Sequence, residues 1–292
     1  MPFSSMDDLI NEMTSGKFNR SDWNKITGAA AYTAGRWFDM SALGGTPVAN
    51  AWAGTALAWR TCDEATGNGT QIFGIPHGGN VSPDTKHILN VSAVTAVATG
   101  VPAQLMLVDL QGYWPGITNN SAVAQTLTGT PSLRYTNGAG CRLFWVQTAT
   151  AGATAQNIAV SYSNTTPTSG RTLPVTVAMT ASAITPHISH SGTAANNYGP
   201  FLPLASGDTG VSTVATVTFS AANTGTGALC LARPLLTLPI TTASVAGERD
   251  LLNQLPSLPR VMDGACLTWL YFAGAATAAS TNFYGSLEMA WG

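Results

Sequence analysis

The stretch Asn157-Ile158-Ala159-Val160-Ser161-Tyr162 alternates apolar and polar side chains with a period of two. Successive side chains of an extended chain point to opposite faces, so the pattern describes a strand with one buried face and one wet face. Runs of the same texture lie on both sides of it. Towards the N-terminus they are Cys141–Thr148, Ala103–Leu110, His87–Ala98, Gln71–Gly74, Ala51–Arg60 and Arg36–Met40. Towards the C-terminus they are Thr172–Thr180, Val211–Ser220, Gly227–Pro234, Ala265–Phe272 and Phe283–Trp291. Clusters of Gly, Asn, Ser and Pro separate them. Many short strands at this spacing predict a mainly β body, an antiparallel β-sandwich of jelly-roll-like type. Strands do not alternate with helices, which argues against a parallel α/β sheet.

Some segments depart from this texture. At the N-terminus Ser5 is a fitting N-cap, and Asp8, three residues on, suits the acidic position of a capping box. Met6, Leu9, Ile10 and Met13 then share one face of a short amphipathic helix, which Gly16 stops. A second helical turn is expected over Ser21–Ile26, with Trp23 and Ile26 facing inward. Gly247–Leu255 reads as one short helix whose acids sit at the favourable N-terminal end. Pro256 and Pro259 end it, and Leu251, Leu252 and Leu255 would plug one end of the sandwich. Asn223–Cys230 reads as a hairpin turn between two strands. Gly116–Gly140 is the softest stretch. The organisation expected is a helical arm over 1–27, a first β region over 28–135 and a second over 136–292. The two β regions are either separate units or one continuous sandwich.

The chain has 292 residues, and only 9% of them are charged, against roughly 25% in an average soluble domain. The hydrophobic share is 45% and the net charge −2, a balance that excludes global disorder. Twelve basic residues are scattered from Lys17 to Arg260 without a run, so no nucleic-acid partner is expected. No stretch reaches the roughly 20 apolar residues of a membrane helix. The opening Met-Pro-Phe-Ser-Ser-Met-Asp-Asp lacks the basic and apolar regions of a signal peptide. Cys62, Cys141, Cys230 and Cys266 form no CxxC pair and read as buried small hydrophobes.

Chemistry leaves few traces. His187 and His190 form an HxxH, but residues three apart in a strand point to opposite faces, so no metal site is expected. His77 and His87 stand apart from it. No G-x-S-x-G elbow exists. Asp63 and Glu64 lie in a turn, where carboxylates are usually solvated, and the other acids cluster where helix N-termini favour them. Asn223–Cys230 is glycine-rich, but neither a Lys nor a helix follows to hold a phosphate. Trp52, Trp59, Trp114, Trp145, Trp269 and Trp291 read as core or interface residues. No cofactor and no enzymatic activity are expected.

So few charges leave a large neutral surface, which favours association. Residues 200–220, 229–240 and 247–292 resemble tailed-bacteriophage virion structural proteins, and Leu105–Ile117 (LMLVDLQGYWPGI) has the same flavour. The resemblance implies a non-enzymatic particle component, made in the host cytoplasm and placed in the virion. The role it suggests first is a trimeric capsid cement or decoration protein bound to the major capsid protein. Another virion role (major capsid protein, head fibre or tail protein) is the alternative. On this reading the segment Pro2–Ile26 is the docking arm, through Met6, Leu9, Ile10, Met13, Phe18 and Trp23, and its deletion should leave a folded body. The competing class is a carbohydrate-binding sandwich using Tyr113, Trp114, Tyr198 and Phe201.

Overall fold

The computed structural model describes residues 3–292 apart from 167, 189, 192–198 and 255–257. Helix α1 (Met6–Thr14) is followed by β1 (Phe18–Ile26), β2 (Arg36–Asp39), β3 (Lys86–Val94) and β4 (Ala103–Thr118). Next come β5 (Arg142–Ala149), β6 (Asn157–Asn164), β7 (Val211–Phe219) and β8 (Thr226–Ile240). The chain continues through β9 (Gly247–Asp250), α2 (Leu251–Gln254), β10 (Leu267–Ala273) and β11 (Asn282–Trp291), with several shorter strands between. The strands form three antiparallel sheets, and the expected mainly β, sandwich-like architecture is what the chain adopts.

The central sheet runs β2-β10-β4-β8-β5. Its long ribbon pairs β4 with β8 from Ala103↔Ile240 to Thr118↔Thr226 and serves two cores. At one end Leu105, Leu107, Leu236, Leu238 and Trp269 meet a second sheet, ordered β9-β3-β11-β1, through Trp23, Ile88, Val91, Phe283 and Leu287. At the other end Trp114, Leu143, Trp145, Leu229 and Leu231 meet the third sheet, built on β6 and β7, through Ile158, Val160, Tyr162, Val214, Val217 and Phe219. A third apolar cluster holds Val108, Tyr113, Phe144 and Cys230 against Cys62, Phe73, Ile188 and Phe201. All four cysteines are buried and free.

Several local expectations give way to pairing partners far along the chain. The segment expected as a helical turn at Ser21–Ile26 is strand β1, bonded to β11 from Phe18↔Ala290 to Ile26↔Asn282. Ser21, Trp23 and Lys25 are its buried positions, and Ile26, expected inside, is 38% exposed. Gly247–Asp250 is a strand on the edge of β3, and only Leu251–Gln254 is helical; Leu255 lies outside the described residues. Leu251 is fully buried in the first core, as a plug would be, while Leu252 is exposed. No regular strand covers Ala51–Arg60 or Gln71–Gly74 apart from the final Arg60. The expected hairpin at Asn223–Cys230 is a crossover, since β7 and β8 belong to different sheets.

Two strands outrun their expected ends. β4 continues past Leu110 through Pro115 and Gly116, and β8 passes Pro234 and Pro239. Pro115 sits at a break in the ladder register. Beyond Ala232, β8 has no β5 partner, so Pro234 and Pro239 lie where one neighbour is missing. Bulges and edges are where a strand tolerates proline.

The first core encloses charge. Lys25 Nζ donates to the carbonyls of Pro47 (2.6 Å), Leu43 (3.2 Å) and Val48 (3.4 Å), and burial lowers its pKa to about 8. The Asp39 carboxylate accepts from Ser41 Oγ (2.5 Å), Ser41 N and Ala42 N, yet burial raises its pKa from 3.8 to about 6. The folded state therefore holds this proton more tightly than the unfolded chain. The resulting stabilisation is fully present below pH 3.8 and is lost as pH rises through about 6. A difference of that size corresponds to about 3 kcal/mol. Asp39→Asn is expected to remove this slope, read by urea denaturation of both proteins at pH 4 and pH 6.5.

Candidate functional site

Helix α1 forms as its sequence indicates. Ser5 Oγ accepts from Asp8 N (3.1 Å), and Asp8 Oδ2 accepts in return from Ser4 N (2.9 Å), one residue before the expected partner. The six residues expected to dock a partner fall into different environments. Leu9 is 3% exposed and packs on Leu89 and Ala290, with Met13 against the same cluster. Phe18 is half-buried at the start of β1. Trp23 lies in the first core, its ring 5.4 Å from that of Trp269. Met6 and Ile10 are 56% and 53% exposed. Four residues apart, they share one face of the helix. The arm is thus anchored to its own body, and its outward apolar residues are Met6 and Ile10.

Beside them runs a groove of about 400 Å³, bordered by Phe3, Met6, Leu9, His87, Leu252 and Leu258. His87 Nδ1 lies 3.3 Å from the Leu258 carbonyl, and burial holds its pKa below the ordinary imidazole value. A larger groove of about 680 Å³ meets this one at Leu258. Arg134, Tyr135, Arg233, Leu235, Arg260 and Met262 are among its walls. Leu235 and Leu258 pack on the first core and Tyr135 on the second, so this groove is the seam between the two. Its arginines are far apart in sequence, and no spacing rule brings them together.

The polar clusters are enclosed and satisfied from within. Glu64, expected as a solvated turn acid, accepts from the backbone of His77 (2.5 Å), Gly78 (3.0 Å) and Gly79 (2.9 Å). Gly78 and Gly79 have φ of +83° and +77°, a left-handed conformation that aims consecutive N–H groups at one carboxylate. Lys86 Nζ donates to His77 Nδ1 (3.1 Å), so the ring proton sits on Nε2 and points at the Ala265 carbonyl and Glu64 Oε2. His77 and Lys86 are 0% and 1% exposed, and burial lowers both pKa values. Beside β6, Asp208 accepts from Tyr162 Oη, Asn164 and Arg171, and the arginine bond lowers its pKa to about 2. These groups clamp loops onto strands; Lys86 also borders a small pocket of about 200 Å³, with Asp84, Arg260 and Asp263 among its walls.

His187 is buried against Phe38, and the His190 side chain lies outside the described residues. Among the described residues no three His, Cys, Asp or Glu side chains are placed to hold a metal ion. No helix of the described chain is long and apolar enough to cross a membrane. Of the aromatic residues suspected of glycan binding, Tyr113 and Trp114 are 0% exposed and Phe201 is 7% exposed. A sugar cannot stack on rings that solvent does not reach. Tyr198 lies outside the described residues.

No family model matches the chain, and no curated protein does. Among solved structures, the VP2 subviral particle of infectious bursal disease virus aligns at 7% identity with a TM-score of 0.19. That alignment covers 94% of this chain and 80% of that one. The Gt strain of the same virus aligns at 10% identity over 94% and 81% of the two chains, with a TM-score of 0.15. Scores this low carry no argument about fold or function.

Proposed function

We propose that this chain is a non-enzymatic structural component of a bacteriophage particle, a capsid cement or decoration protein. It oligomerises, as a trimer in the simplest case, and stabilises a shell built by the major capsid protein. It is made in the host cytoplasm and ends in the virion. The observation that carries this reading is the outer face of α1: Leu9 fastens the helix to the β body while Met6 and Ile10 stay in water. Exposed apolar residues held on a rigid helix suit a partner's surface. The low charge of the chain and the phage-like phrasing of its C-terminal half support the same reading. The polar clusters support a non-enzymatic role, because each is spent on holding the fold.

The test adds purified protein to shells of the cognate phage that lack it. Binding and a higher shell disruption temperature are expected. Deleting Pro2–Ile26 is the wrong probe, because it removes β1 from between its neighbours. The double variant Met6→Asp/Ile10→Asp changes the outer face alone. It is expected to keep its thermal midpoint and bind shells at least about tenfold more weakly. Equal binding would remove α1 from the interface, and wild-type protein that binds no shell would end the capsid reading.

A further inference from the structure

We infer that the seam groove between the two cores receives helix α1 of a second copy of this chain. The inference rests on the proposed reading that the protein oligomerises, and it seats the outer face of α1 on a neighbouring copy, so that the shell meets the oligomer and not this face directly. Arg233 and Arg260 stand in the groove without a carboxylate partner among the described residues. Arg233 lies 4.5 Å over the Tyr135 ring and donates to the Ala139 carbonyl, while the Arg260 side chain is exposed and bonded to nothing described. The third arginine adds no free charge, because Arg134 is held by Asp109. Two acids share a smaller pocket with Arg260: Asp84 pairs with Lys17 at 2.8 Å, and Asp263 accepts from Val81 N at 2.9 Å and keeps its charge. The groove therefore offers two arginines that form no ion pair among the described residues, beside Leu235, Leu258 and Met262.

The outer face of α1 has the opposite charge and the same apolar character. Met6 and Ile10 project from it, and Asp7 beside them is exposed with no described partner. Asp8 differs, being bonded to Ser4. A carboxylate flanked by two apolar side chains complements cations flanked by a leucine and methionine wall. Within one molecule the helix cannot fill the groove, because Leu9 holds it on β3 and β11. The two patches are neighbours all the same, since Leu258 borders the grooves beside both. Two different patches on one chain make a head-to-tail contact, which gives a ring where the rotation between copies closes.

Light scattering across a dilution series tests this with full-length protein. Wild type is expected to associate. Arg260→Asp and Asp7→Arg are each expected to weaken association at least about tenfold, because each sets like charges against one another. The chain carrying both substitutions restores every contact with its sign reversed, and association is expected to return. Both side chains are exposed and bind nothing described, so each variant should fold, read as a circular dichroism spectrum matching wild type; the neutral variants Arg260→Gln and Asp7→Asn replace any variant that misfolds. A monomeric wild type, association indifferent to either single variant, or a double variant no better than the singles overturns the inference. Adding wild type to shells separates the two ideas. A monomer that still binds shells removes this interface alone, whereas an oligomer that binds no shell removes only the capsid role.

Discussion

Replacing Arg134 by alanine is expected to cost about 3–5 kcal/mol, a large part of the roughly 5–15 kcal/mol that holds a domain folded. Asp109 is 0% exposed, and its carboxylate accepts from Arg134 Nε (3.1 Å), Arg134 Nη2 (2.5 Å) and Cys266 N (3.0 Å). The same guanidinium donates to the carbonyls of Cys62 and Leu110, both at 2.7 Å. One side chain thus joins a loop, the middle of β4 and the approach to β10. Without it a carboxylate stays buried with its charge uncompensated, and two carbonyls lose their donor. The paired replacement Asp109→Leu/Arg134→Met removes the charge together with its partner. It should be less damaging than Arg134→Ala, because no charge is left buried, although the Cys62 and Leu110 carbonyls and Cys266 N still lose their partners. Urea denaturation of the three proteins measures both differences. A loss below about 1 kcal/mol in Arg134→Ala would mean that water or another group takes over.

Trp145→Ala is expected to cost a similar 3–5 kcal/mol. The indole is fully buried in the second core, set edge-on to Phe219 at 5.3 Å, and donates from Nε1 to Gln147 Oε1 at 3.1 Å. Its room depends on Gly227, where an added Cβ would lie 2.1 Å from Trp145 Cζ2. Gly227→Ala should therefore destabilise from the opposite direction, by overfilling the site that Trp145→Ala empties. Because β4 and β8 carry both cores, calorimetry of Trp145→Ala is expected to show one transition at lower temperature. Two resolved transitions would mean that the ribbon does not couple the cores.

The legible parts of this fold are those whose signal is local. Ser5, Asp8 and Leu9 announce α1 because capping and helical periodicity act within one turn. The alternation in β6 and β7 is equally local. β1 is hidden because one of its buried positions holds Lys25, whose partners are carbonyls about twenty residues away. Pro115, Pro234 and Pro239 look like strand ends, and only the register of the ribbon shows where proline is harmless. The exposed apolar face of α1 was legible in Met6 and Ile10, whereas Trp23 carried the same apolar signal and went to the core. The arginines of the seam meet only in the folded chain, and no short window of sequence contains them.

The pairing of β1 with β11 has a consequence for how the protein is made. Arg20 and Glu288 meet across 268 residues of chain. At a ribosomal pace of ~5–20 residues per second, β1 waits roughly 15–50 s for its neighbour to be synthesised. During that interval Trp23 has no core to enter, and β1 offers an unpaired edge to any other nascent chain. The second core, complete once β8 is made, can collapse early, but the sheet that carries α1 closes only when β11 arrives. Helix α1, with Met6 and Ile10 exposed, therefore lacks its platform until β11 has been made.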